Sequence, residues 1–123
     1  MSGPLIRIGY WRGAEARGWP DPALFVDPAW DADERELVAR YLRHGLVARA
    51  YLGMSACRLC GRTNGSLELT DGSYLWPDGL AHYLEDHHVR LPARFVDHVR
   101  RTVDCVEQAL VEDGWWMEQA GPA

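Results

Sequence analysis

The chain has 123 residues, 47% of them apolar and 25% charged, which is the size and composition of one globular domain spanning 1–123. Its formal charge of −5 counts against sequence-independent nucleic-acid binding, which runs on cationic charge, so nucleic acid is not an expected partner. All thirteen basic residues are arginine, so Schiff-base and lysine-base chemistry are excluded; the composition suits coding in a GC-rich genome. No apolar run approaches the ~18 residues of a membrane span, and no secretory leader precedes the first charged residues, so a cytosolic location is expected. In a reducing compartment, an odd count of three cysteines favours metal or redox chemistry over a structural disulfide.

Residues 1–31 are rich in Gly, Pro, Trp and Asp. Leu5 to Tyr10 reads as a short strand. The rest reads as ordered coil that is too apolar to be a linker and wraps the core. A helix over about 32–44 follows. Asp31 caps it, Glu34 completes a capping-box-like pair, and Leu37, Val38, Tyr41 and Leu42 form its apolar stripe. Gly45 suits the C′ position, and His44 in the last turn suits the helix dipole. A strand is expected over 46–54. Two further strands, 66–70 and 73–76, flank Asp71-Gly72, a strong hairpin signal. A short helix over 79–86 leads to His87 and His88. Pro92 then opens a long helix over about 92–112, whose buried stripe is Phe95, Val96, Val99, Val103, Val106 and Leu110. Arg90, Arg94, Arg100 and Arg101, with Asp97 and Asp104, belong to solvated faces. Gly114 ends that helix and leaves a tail whose two tryptophans must fold back or bind something. The expected class is α+β: a small antiparallel sheet with a metal knuckle, packed against three helices of which the C-terminal one is long.

The chemistry lies in the middle. Cys57-x-x-Cys60-Gly61 supplies two thiolates from one tight turn, and the glycine lets backbone N–H groups point at sulfur. His82 lies on the helix after the hairpin, and His87 is the expected fourth donor, with His88 or Asp86 as substitutes. The pattern Cys-x2-Cys-x21-His-x4-His points to Zn2+. It carries a geometric difficulty, since on a regular helix His82 faces Asp86 rather than His87. Two competing readings of the motif are a redox pair, which would open a helix after a strand, and buried thiols beside unrelated histidines. Cys105 reads as a small core residue. His98 and Cys105 are two helical turns apart and cannot easily share an ion. Glu68 and Asp71 are candidate bases should the metal be catalytic.

The stretch CRLCG…NGSLELTDGSYLWPDGLAHYLEDHHVRLP resembles the treble-clef-like zinc fingers, in which a knuckle and hairpin precede a ligand-bearing helix, with the likeness in element order running over residues 46–91. That class includes nucleic-acid binders, protein adaptors and His-rich metal nucleases, so the resemblance leaves function open. Asp86-His87-His88-x-x-Leu-Pro is similar in part to the Asp-His-x-x-Pro of those nucleases, although the later asparagine and metal histidine have no clear counterpart.

Three functions follow as expectations. The first is a zinc-stabilised binding or adaptor module for a protein partner, using Trp11, Trp19, Trp115 and Trp116 as its contact surface. The second is a nuclease-like metal hydrolase with an open coordination position. The third is an immunity or antitoxin-type inhibitor of a basic partner.

Overall fold

The computed structural model describes residues 3–14, 16–50 and 53–122. Strand β1 (Ile6–Arg7) is followed by coil and a 3-10 turn at Pro22–Phe25, then helix α1 (Ala32–Arg43) and strand β2 (Leu46–Ala50). The hairpin β3 (Leu67–Thr70) and β4 (Tyr74–Pro77) precedes helices α2 (Leu80–His87), α3 (Ala93–Glu107) and α4 (Gly114–Glu118). Positions 51 and 52 of the strand expected over 46–54 lie outside the described residues.

Helix α1 starts where its cap demands. The Asp31 carboxylate accepts the Glu34 N–H at 2.9 Å, satisfying one of the amides that a helix start leaves without a partner. Glu34 does not close a capping box. Its carboxylate takes the indole N–H of buried Trp30 at 2.8 Å and the Arg100 guanidinium at 2.5 Å instead. These two donors hold the Glu34 carboxyl below the usual carboxylate range. A buried indole N–H needs an acceptor, and that need outweighs the local motif. Gly45 is also required for a reason other than the expected one. It does not take a left-handed conformation; rather, a Cβ there would sit 2.8 Å from Cζ2 of Trp76 and 3.0 Å from Cβ of Leu69.

The sheet order is β1-β4-β3-β2. The hairpin forms as its turn residues direct: the Asp71 side chain accepts the N–H groups of Ser73 and Tyr74, and Gly72 takes φ +95°. Strand β2 pairs antiparallel with β3, with a register shift between Val47 and Arg49. Strand β1 joins β4 in parallel, so the sheet is mixed rather than wholly antiparallel. Trp76 on β4 is fully buried and donates its indole N–H to the Leu42 carbonyl at 3.0 Å, which pins the sheet to α1. Around it pack Val38, Leu42, Leu80, Leu84, Val89, Phe95 and Val99, all buried. From the N-terminal coil, Trp11 and Trp30 enter the same core.

Helix α3 buries Phe95, Val96 and Val99, and half-buries Val103. It ends at Glu107, not at 112, and every described residue from Asp104 to Pro122 is exposed. Val106, Leu110 and Cys105 are therefore solvent-facing rather than core. The apolar periodicity is real, but the surface that would cover it ends near Val103.

Candidate metal centre

The knuckle is a tight loop closed by backbone bonds. Cys57 N–H donates to the Arg62 carbonyl and Gly61 N–H to the Cys57 carbonyl, both at 2.8 Å. Gly61 takes φ +76°, a conformation that favours glycine. The Leu59 N–H points at the Cys57 sulfur, 3.4 Å away. The loop is fastened to the hairpin–helix unit at two places. Asn64 donates its side-chain N–H to the Gly79 carbonyl at 3.0 Å. The Tyr83 hydroxyl accepts the Arg58 N–H at 2.8 Å. Burial pushes the Tyr83 phenol up to about 12; the Arg58 N–H opposes this and the Cys57 sulfur adds to it.

Helix α2 supplies the imidazoles. His82 Nε2 lies 3.4 Å from the Cys60 sulfur, and on the far side of the ring Nδ1 lies 3.1 Å from Asp86 Oδ2. Asp86 is thus the i+4 neighbour that helical spacing requires, but it stands behind the His82 ring instead of substituting for a donor. A carboxylate in that position holds the ring and the tautomer that leaves the Nε2 lone pair free for a ligand.

The end of α2 resolves the difficulty over His87. In a regular α-helix, residues five apart project about 140° from each other. Here the last turn is loosened: the His88 and Val89 N–H groups both bond back to the Tyr83 carbonyl, five and six residues away. Wide closures of this kind, made onto a left-handed residue, are a common way for a helix to end. His88 takes a left-handed conformation (φ 56°, ψ 29°) and ends the helix. The His82 and His87 rings lie 4.9 Å apart and nearly perpendicular. His88 is directed elsewhere, with Nδ1 2.7 Å from the Arg35 guanidinium. Arginine can only donate, so that nitrogen is an acceptor occupied by Arg35.

Donor atoms of Cys57, Cys60, His82 and His87 all lie within 4.8 Å of one another, so the group could hold a single metal ion. Around zinc, with Zn–S about 2.3 Å and Zn–N about 2.05 Å, a tetrahedral S···N edge is about 3.6 Å and an S···S edge about 3.8 Å. The 3.4 Å Cys60–His82 separation is close to that edge. His87 Nε2 is buried without a hydrogen-bond partner, as a ring nitrogen reserved for a ligand would be. The residues therefore fit the ion that the sequence pattern implies. Cys57 is buried and Cys60 exposed, so the centre lies at the surface with one thiol facing solvent.

The remaining candidates serve elsewhere. Glu68, on β3, is buried and gathers Arg7 at 3.0 Å, Arg49 at 3.1 Å and the Tyr10 hydroxyl, tying both edge strands, β1 and β2, to β3. Asp71 accepts from Tyr41 at 2.5 Å and pairs with His98 at 2.8 Å. Burial raises the Asp71 pKa, but the bonds from Tyr41, Tyr74, Ser73 and His98 outweigh it and leave the carboxyl below its ordinary value. His44 Nδ1 donates to the Arg40 carbonyl, four residues back on the same helix. Of the four tryptophans expected at a contact surface, Trp11 is 7% exposed and belongs to the core, packed against Phe25 and Tyr83. Trp19, Trp115 and Trp116 are exposed. Sequence reasoning missed Tyr83, whose only signal was its place beside His82, and the supporting position of Asp86.

The chain matches no protein-family profile, no curated protein and no solved structure.

Proposed function

We propose that Cys57, Cys60, His82 and His87 bind one zinc ion as a closed structural centre, and that the chain works as a zinc-stabilised protein-binding module. The observation that carries this reading is the convergence of four protein donors, two from the knuckle and two from α2, on one point. Two thiolates and two imidazoles fill a tetrahedron, so the set leaves no position for a reacting water. The carboxylates that could act as a base are engaged: Asp86 with His82, Glu68 with two arginines, and Asp71 with Tyr41 and His98. Zinc, when bound, supplies folding energy by tying the knuckle to the helix. Function then falls to the surface, where Trp19, Trp115, Trp116 and Met117 are exposed. Large exposed apolar side chains at this density are characteristic of docking surfaces.

Metal analysis of the purified protein tests the centre. One equivalent of zinc per chain is expected, and cobalt substitution should give the charge-transfer and ligand-field bands of a tetrahedral site with two thiolates. No bound metal, or a cobalt spectrum with an exchangeable water, would refute the closed centre.

A further inference from the structure

The protein-binding part of that reading can be taken further: we infer that the partner is a second copy of this chain, and that each copy lays its acidic tryptophan tail in the basic aromatic groove of the other.

The tail has the form of a ligand without a site. From Asp104 to Pro122 every described residue is exposed, with Leu110 98%, Val111 84%, Trp115 64% and Trp116 72% accessible. The Trp115 and Trp116 rings lie together, centroids 6.1 Å apart, on α4. Beyond Arg101 the sequence holds the carboxylates Asp104, Glu107, Glu112, Asp113 and Glu118 and no basic side chain. The segment is at once apolar and strongly acidic.

The groove is its complement. Two adjoining cavities, of about 160 and 300 Å³, share a wall made by Tyr10, Trp11 and Trp19. Phe25 and Leu91 line one and Arg58 the other. The larger is at the lower end of the volume range of ligand clefts and mostly apolar, which suits an indole. Arg7 lines the larger cavity and Arg58 the smaller, and the segments that build the groove, residues 3–20 and 53–66, also carry Arg12, Arg17 and Arg62 against the single acid Glu15. Among the described residues, Arg12, Arg17, Arg58 and Arg62 have no carboxylate partner. An incoming chain rich in carboxylates supplies the partners that these arginines lack. Reciprocal exchange between two copies closes with two-fold symmetry, so the contact ends at a dimer and does not propagate. Charge complementarity of this kind sets partner choice and on-rate, while the tryptophans set the strength.

Sedimentation equilibrium of the full-length, zinc-loaded protein over a concentration series tests the proposal. A monomer–dimer equilibrium is expected that weakens as salt is raised. Trp115→Ala with Trp116→Ala should weaken it by about tenfold or more. Arg12→Glu with Arg17→Glu should weaken it similarly, and adding Glu112→Arg with Asp113→Arg to that variant should restore much of the loss. All these positions are exposed, so the variants should keep the fold, as circular dichroism would verify. A monomer at every concentration overturns the proposal. So does a dimer that ignores the tail variants but is broken by Val47→Pro, which would place the contact on the exposed strand β2. Zinc content, measured on each variant, reports on the metal centre separately: a parent protein that carries full zinc and stays monomeric refutes only the exchange, and a dimer without zinc refutes only the centre.

Discussion

Replacing Cys57 by serine removes one of the four donors that join the knuckle to α2, and the cost can be worked from the site. Serine still offers an acceptor to the Leu59 N–H, so the loop's own bonds survive. The expected loss is of metal binding and of the linkage energy that a bound ion would add to folding. For an ion present at a thousand times its dissociation constant, that linkage is about 4 kcal/mol. In a chain of 123 residues each kcal/mol moves Tm by about 3–4 °C, so the variant should melt about 12–16 °C below the parent. It should still fold, because serine nearly matches in size the Cys57 side chain it replaces in the cluster that also holds Trp76, Phe95 and Leu42. The assay is thermal unfolding by circular dichroism, with and without chelator, alongside metal analysis. Chelator should bring the parent down to the variant and leave the variant unmoved. Cys105→Ser, at an exposed position, should change neither Tm nor metal content. A Cys57→Ser protein with full metal content, or a parent whose melting ignores chelator, would refute the reasoning.

Other perturbations test the surroundings. Asp86→Ala removes the carboxylate behind His82 and should lower zinc affinity by about tenfold in a competition titration, with little change in the apo protein's stability. Asp71→Asn places an amide against the Tyr41 hydroxyl and should cost about 2 kcal/mol in a denaturant titration at neutral pH. The folded-state pKa of Asp71 is depressed, so its contribution is present above the unfolded value of about 3.9 and fades as pH falls through the lower folded value. The stability gap between parent and Asp71→Asn should therefore narrow on acidification below about pH 4. Tyr41 runs the other way. Burial, and then its bond to Asp71, raise its pKa, so the neutral phenol's contribution holds below the unfolded value of about 10 and is lost as pH climbs above it; Tyr41→Phe should blunt that alkaline loss. Gly45→Ala should destabilise by about 1–3 kcal/mol in the same titration, because the new Cβ meets the buried Trp76 ring at 2.8 Å.

Much of the middle of the molecule was legible in the sequence because it is built from short-range rules. Asp31 caps α1, Asp71-Gly72 turns the hairpin, and Cys57-x-x-Cys60-Gly61 folds the knuckle, each through contacts made within a few residues. Such interactions depend on local backbone geometry and so leave a local imprint. The helical stripe of α3 was legible as far as Val103 and then misled. Periodicity shows which side of a helix is apolar, whereas whether another element stands opposite is a tertiary matter.

The sequence by itself determined that two thiolates and nearby imidazoles would be available, and that no lysine chemistry would be. Only the tertiary structure decided that His87 joins Cys57, Cys60 and His82 while His88 goes to Arg35, because that choice depends on a loosened final turn closed on the Tyr83 carbonyl. It also decided that Trp11 is core while Trp115 and Trp116 stand in solvent, and that Glu68 is buried between two arginines from different strands. The physical reason is the same in each case. Donor identity is a property of a residue, but direction, burial and partnership are set by segments far apart in the chain, whose meeting no local pattern records.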